Sequence, residues 1–386
     1  MKVAIFPAGK DGKKLYSILR GQANVEVCSF VDNAPSEEKG MIMEGLSIPV
    51  ITPNEVKLQM VEGNIDKVLV CSAKVLSHFL DDMLRQLKEL NISDYYIVPS
   101  YIFRKEQWDE TDFRNIFTKQ DEFSQLQHVQ FHISDCCNLN CRRCQHFSNI
   151  ADNPRFPSFE KVKGDFQRLR ELFCDINRIA ILGGEPFLNP ELYRYCVMLR
   201  ELFPYSFIDI ITNGLLVRNM NEKLISAIRD NDIIVNISFY PVLEPVKEQL
   251  TRFLKEQRVR YVFGTKIETF SKKMVLEGNE NPEKQFYECR DRCCTMLRDG
   301  KLYPCYLPAT VSIFNNHFGT KIEAGNSAID IYDAGITGRQ ILERLRKSFD
   351  ICRYCTYDET YPWEQTKCAC MDDWIVCRQN SSGNCK

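Results

Sequence analysis

Short apolar runs and helical patterns alternate twice along this chain, and that rhythm commits it to parallel sheets covered on both faces. In the first series, Val3-Ala4-Ile5-Phe6 ends in a turn, and residues 12–20 carry Leu15, Ile18 and Leu19 at helical spacing. Residues 25–31 read as a second strand closed by Asp32-Asn33, and Val68-Leu69-Val70 reads as a third. A helix near residues 76–90 and a strand at 95–98 follow. Residues 101–126 are charged and aromatic with little period and are expected to form a connector. The rhythm then restarts, with strands expected at 129–134, 178–182, 207–212, 233–239 and 259–263 and helices at 158–174, 190–202, 221–230 and 243–257. That series, over 127–285, suffices for a partial β/α barrel. From about residue 286 cysteines dominate, and 286–386 is expected to be a small metal-stapled domain.

The net charge of −2 supplies no positive field to attract nucleic acid or anionic lipid. The first residues hold too short an apolar run for a leader peptide, and no stretch is apolar for long enough to span a bilayer. The expected location is therefore the reducing cytoplasm. There, 18 cysteines argue for metal binding rather than disulfides. Cys28, Cys71, Cys174 and Cys196 stand singly in apolar or helical contexts and read as small buried hydrophobes.

The strand at 129–134 runs into Ser134-Asp135-Cys136-Cys137-Asn138-Leu139-Asn140-Cys141-Arg142-Arg143-Cys144-Gln145-His146. Three thiolates this close wrap an iron–sulfur cubane and leave one of its four irons open, as a catalytic centre needs. A zinc site completed by Cys136 or His146 is the rival on spacing alone. The run Cys-Asn-Leu-Asn-Cys-Arg-Arg-Cys resembles the signature of the radical S-adenosylmethionine (SAM) superfamily. The resemblance implies that Cys137, Cys141 and Cys144 hold a [4Fe–4S] cluster whose open iron chelates SAM. An electron from the cluster would then release a 5′-deoxyadenosyl radical that abstracts hydrogen from the substrate. The family usually has an aromatic residue or His before the third cysteine, and here that residue is Arg143.

Later motifs fall in the family's order. The strand at 178–182 ends in Gly183-Gly184-Glu185-Pro186, at the carboxyl edge where barrel active sites lie. The resemblance makes this segment the binder of the SAM amino group. Asn213, in Thr212-Asn213-Gly214, and Ser238, in Asn236-Ile237-Ser238, fall where family members place ribose or carboxylate contacts. Near the C-terminus, Gly300 and Cys305 form a Gly-x4-Cys element and Cys352 and Cys355 a Cys-x2-Cys pair. These resemble the auxiliary-cluster domains called SPASM or, when shortened, twitch. One auxiliary [4Fe–4S] cluster is expected on Cys294, Cys305, Cys352 and Cys355, with Cys289 or Cys293 able to replace Cys294. The SPASM pattern's next cysteine falls at Tyr361, and a zinc ribbon-like staple remains the alternative. Cys368, Cys370, Cys377 and Cys385 have the composition for a third metal but no recognised spacing.

Residues 1–100 look Rossmann-like: Pro7-Ala8-Gly9-Lys10-Asp11-Gly12 is a damaged Gly-x-Gly-x-x-Gly, and Asp32 suits a ribose hydroxyl. The expected fold class is thus α/β, a partial TIM-type barrel preceded by a Rossmann-like parallel sheet and followed by a cysteine-rich domain. The expected activity is that of a radical SAM oxidoreductase or isomerase on a carbohydrate or nucleotide-linked small molecule. Its partners would be that substrate and an external electron donor such as flavodoxin or ferredoxin, with no nucleic acid and no membrane. A peptide maturase is the second enzymatic reading, and a non-catalytic metal-stapled binding protein is the rival from another class. No catalytic hydrogen donor is identified; Cys289, Cys293 and Tyr240 are the candidates.

Overall fold

β1 (Lys2–Phe6) lies at the centre of the first sheet because its side chains are apolar on both faces. Val3 and Ile5 enter one core with Leu15, Phe30 and Leu69; Ala4 and Phe6 enter the other with Val56, Val70 and Leu84. The structure, a computed structural model, describes residues 1–22, 24–33, 41–43, 46–73, 79–118, 124–151 and 155–376. After β1 come α1 (Lys10–Leu19), β2 (Glu26–Val31), the hairpin β3 (Met41–Met43) and β4 (Leu46–Ile48), and β5 (Val50–Ile51). Then follow α2 (Pro53–Val61), β6 (Lys67–Val70), α3 (Phe79–Glu89) and β7 (Tyr95–Ile97). The order β5-β2-β1-β6-β7, parallel throughout, is the doubly wound arrangement that the sequence rhythm implied. Residues 76–78 of the expected helix lie outside the described residues.

Two elements here escaped the periodicity. Thr52 caps α2 through a reciprocal bond with Glu55, and Pro53 starts the helix. The stretch expected as a connector carries α4 (Glu110–Ile116), capped by Asp109 with Asp112 in the return position. Ile102, Phe103 and Ile116 share the core of Val3 and Ile5, so these residues belong to the first fold rather than to a link. One compact unit comprises Met1–Gln127 with Phe173–Asn177, and the other His128–Leu172 with Arg178–Lys386.

The second series of βα units runs β8 (Gln125–His132), α5 (Phe159–Leu172), β9 (Asp175–Leu182), α6 (Leu192–Leu202), β10 (Phe207–Thr212), α7 (Glu222–Asp230), β11 (Ile234–Ile237), α8 (Lys247–Glu256) and β12 (Tyr261–Phe263). β13 (Thr269–Met274) and α9 (Pro282–Glu288) follow, then β14 (Met296–Arg298) and β15 (Lys301–Tyr303). α10 (Tyr306–Phe318), β16 (Ile329–Asp330), α11 (Gly338–Leu345) and β17 (Cys355–Pro362) complete the described elements. The sheet order is β12-β11-β10-β9-β8-β14-β15-β16. β14 lies parallel to β8, and β15 and β16 continue antiparallel. β12 and β16 are the two edges, so the sheet is an open, partial barrel. β14 to β16 extend this sheet, which places the start of the cysteine-rich region in the same compact unit as the barrel.

β8 sorts its side chains by face. Val129, Phe131 and Ile133 are buried on one side, with Phe131 edge-on to Phe166 of α5 at 4.8 Å. His128, Gln130 and His132 are buried on the other. Polar groups continue on neighbouring strands: buried Arg178 forms a two-pronged ion pair with Asp209, which also accepts from Asn236 at 2.8 Å. No helix among the described residues is long and apolar enough to cross a membrane.

Candidate metal centre and cosubstrate site

The loop after β8 is seated by the loop after β9. Gly184 N donates to Ser134 O and Glu185 N to Cys136 O, each at 2.8 Å. A Cβ on Gly183 would stand 2.2 Å from Ser134 O, and one on Gly184 2.1 Å from Cys136 O. The glycines are needed because the cysteine loop lies directly on them.

This seating brings Cys137, Cys141 and Cys144 together, each within electrostatic reach of the next. Burial pushes the thiols of Cys137 and Cys141 up to about 12 and raises that of Cys144. Thiols so placed ionise only where a cation takes up the charge. Every sulfur nonetheless receives donors. Leu139 N and the Asn213 amide point at Cys137 Sγ at 3.4 and 3.5 Å, and the Trp363 indole at Cys141 Sγ at 3.2 Å. Backbone groups of residues 146–148 serve Cys144. Donors converging on three sulfurs, Cys141 buried and Cys137 and Cys144 half-buried, suit cluster-bound thiolates, so these residues fit a [4Fe–4S] cluster. His146, the candidate fourth zinc ligand, lies 2.9 Å through Nδ1 from His132 Nε2, and its ring packs 5.0 Å from Tyr306. His132 in turn meets Asp135, which Arg298 grips with two bonds of 2.8 and 2.7 Å.

Glu185 is completely buried beside this loop. Burial raises its carboxyl to about 7, against the hydrogen bonds from Asn213 N, Thr212 Oγ1 and Phe187 N. A carboxylate retains further acceptor sites after such bonds, and a neighbouring ammonium would favour its charged form. Asn213 is a brace: its amide reaches Asn138 Oδ1 at 2.8 Å, and its carbonyl accepts from Leu215 N at 3.0 Å. Ser238 is half-buried at the end of β11, its backbone N on Thr212 O at 2.8 Å. Asn236, two residues earlier, is spent on Asp209. Tyr240 stacks on Trp363 at 5.3 Å, and its phenol is held far above its ordinary range by burial, then by the three thiols.

A second group of thiols lies in the same compact unit. Cys305 feels Cys355, Cys289 and Cys352, in that order, and Cys355 feels Cys352 and Cys289. Cys294 instead bonds its neighbour Cys293 and lies farther into the field of Asp291 than of Cys305. Cys289 also accepts a hydrogen bond from Asp291 N at 3.3 Å. Cys368 and Cys370 are exposed, whereas Cys377 and Cys385 lie outside the described residues. Among the single cysteines, Cys71 and Cys196 are buried as expected and Cys28 is half-buried, but Cys174 is exposed. It lies two residues beyond α5, where the chain has left the helix face that buries Leu169.

The contacts of segment 361–374 with the cysteine loop escaped sequence reasoning. Arg142 N bonds Glu364 O at 2.8 Å, Thr366 N bonds Asn140 O at 2.9 Å, and the Trp374 indole bonds Cys144 O at 2.8 Å. Arg143, which replaces the family's aromatic or His, lies 3.0 Å from Glu364 and 4.3 Å over the Tyr361 ring. The one available signal was that unusual arginine, whose charge needed a partner elsewhere.

The family model for the radical SAM superfamily matches residues 131–261. Similar curated proteins include the mitochondrial GTP 3′,8-cyclase of Arabidopsis thaliana, 26% identical over 151 residues that cover 38% of this chain and 37% of that one. A probable GTP 3′,8-cyclase of Methanocaldococcus jannaschii is 27% identical over 143 residues, 36% of this chain and 45% of that one. The chain thus spans less than half the length of either relative. Among solved structures, BtrN in complex with AdoMet and 2-DOIA matches at 18% identity and TM-score 0.38, covering 66% of this chain and 98% of that one.

Proposed function

We propose, from the premise that this chain carries a radical SAM domain over residues 131–261, that it reductively cleaves SAM and takes hydrogen from a carbohydrate or nucleotide-linked small molecule. When bound, the [4Fe–4S] cluster supplies the electron that breaks a carbon–sulfur bond of SAM. Cys137, Cys141 and Cys144 hold it, and the N–H donors on their sulfurs carry the thiolate charge. Glu185 receives the SAM ammonium, and the backbone of Gly184 and Glu185 ties it to the cysteine loop. Ser238 offers a hydroxyl at the adjacent strand end, and Asn213 keeps the Glu185 and Cys137 loops in register. An auxiliary [4Fe–4S] cluster takes Cys305, Cys352 and Cys355, with Cys289 favoured over Cys294 as the fourth ligand by its place among those thiols. The external reductant is a flavodoxin or ferredoxin.

The observation that carries this reading is the convergence of N–H donors on the sulfurs of one cysteine loop beside a buried carboxylate. The doubly wound sheet β5-β2-β1-β6-β7 supports a nucleotide-linked substrate, as does the GTP in the relatives' names. Anaerobic reconstitution tests it. Roughly eight irons should be taken up, at four per centre, and SAM with dithionite should yield 5′-deoxyadenosine. A zinc-loaded protein that forms no deoxyadenosine overturns the proposal. Nucleotide-sugars should raise the melting temperature of the full chain more than short peptides do, and the reverse ranking rejects the substrate class.

A further inference from the structure

The segment after β17 does more than cover the cysteine loop. It forms a one-residue antiparallel bridge between Cys141 and Gln365, and the Gln365 amide donates to Leu139 O at 2.8 Å. With the bonds of Glu364 to Arg142 and Arg143, these contacts fix the backbone on both sides of Cys141. They also fix Trp363, whose ring is held against Tyr240 and whose N–H ends on Cys141 Sγ. An indole has one donor and no acceptor, so this bond runs in one direction only. Cys141 itself is buried, and Trp363 is the side-chain donor that its sulfur receives.

We infer that Trp363 is a positioning residue that sets how readily the cluster on Cys137, Cys141 and Cys144 accepts its electron. The inference rests on the cluster reading above. Reduction by one electron from dithionite or a flavodoxin adds negative charge to the cluster and its sulfurs. An N–H aimed at a sulfur stabilises the more negative state better, and hydrogen bonds to sulfur are among the determinants of cluster potential. Removing that donor therefore lowers the potential. The C-terminal segment thereby tunes a centre whose ligands lie more than two hundred residues earlier.

The test replaces Trp363 in the full chain by benzothienylalanine, which keeps the fused ring and substitutes sulfur for the N–H. Iron content and the SAM-induced change in the reduced cluster's EPR signal are recorded first, and these alone judge the cluster reading. A redox titration followed by the same signal then judges the inference. At a fixed potential the reduced-to-oxidised ratio should fall about tenfold, a shift of about 59 mV for one electron. Trp374→Phe removes the indole bond to the Cys144 carbonyl, which touches no sulfur, and should leave the potential where it is. An unchanged potential in the benzothienylalanine protein, or an equal shift in Trp374→Phe, overturns the inference. Trp363→Phe should shift the potential in the same direction, and a shift to a higher value also overturns it.

Discussion

β1 and β8 are both central parallel strands, yet they are built in opposite ways. Each of Val3, Ala4, Ile5 and Phe6 is buried and apolar, and the strand divides them between two dry cores. β8 buries as thoroughly but gives one face to His128, Gln130 and His132. Most buried polar groups find partners, and the second sheet carries the Arg178–Asp209–Asn236 network and the His132–His146 contact. The glycines differ too. Gly12 lets α1 close on the end of β1, since a Cβ there would lie 2.1 Å from Pro7 O, whereas Gly184 lets a reactive loop sit down. One sheet is organised around apolar packing, the other carries buried polar groups along one face of its central strand.

That contrast breaks most visibly at the cysteines. Cys141→Ala should abolish deoxyadenosine formation and cut the iron count by about half, to one four-iron centre, while thermal melting of the apoprotein barely moves. Ile5→Ala should do the reverse. It costs about 2–5 kcal/mol in denaturant titrations, the usual range for a buried Ile truncated to Ala, and leaves SAM cleavage per folded molecule unchanged. If Ile5→Ala removed cleavage from folded protein, the division between the two sheets would fail. Gly184→Ala should fall between them, because its Cβ collides with the backbone of Cys136 rather than with a movable side chain. Iron uptake should drop at least several-fold, and Gly9→Ala, with open space around its Cβ, is the control that should change nothing.

The same contrast explains what the sequence disclosed. The apolar runs of β1 and β6 announce themselves because burial on both faces needs continuous hydrophobicity. The cysteine loop and Gly183–Glu185 were legible because their chemistry is local, a few residues at fixed spacing. Trp363, Glu364 and Trp374 were invisible: they act more than two hundred residues from their partners, and nothing in an isolated tryptophan tells where its N–H will point. α4 was hidden for another reason. At seven residues it is too short for a clear period, and only its capping aspartates mark it. The resemblance makes Asn213 a cosubstrate contact; its bond to Asn138 Oδ1 depends on the approach of the Asn138 loop and has no local signature.

The pH response of Glu185 separates stability from function most cleanly. The Glu185 carboxyl is raised from 4.5 to about 7 by burial. The folded apoprotein therefore holds a proton that the unfolded chain releases above its lower value. Stability should decline as pH rises from 4.5 towards 7 and level off beyond, by an amount on the order of 3 kcal/mol at 1.36 per pH unit. Glu185→Gln, with no charge to bury, should flatten that decline and raise apoprotein stability at pH 8. SAM binding should run the other way, because the ammonium needs the carboxylate. Affinity of the iron-loaded protein, measured by calorimetry, should fall by up to about tenfold per unit as pH drops below 7. In Glu185→Gln it should be weak and lack this step. A variant that gained stability while binding SAM as tightly as the parent would show that the carboxylate is buried for some purpose other than the ammonium.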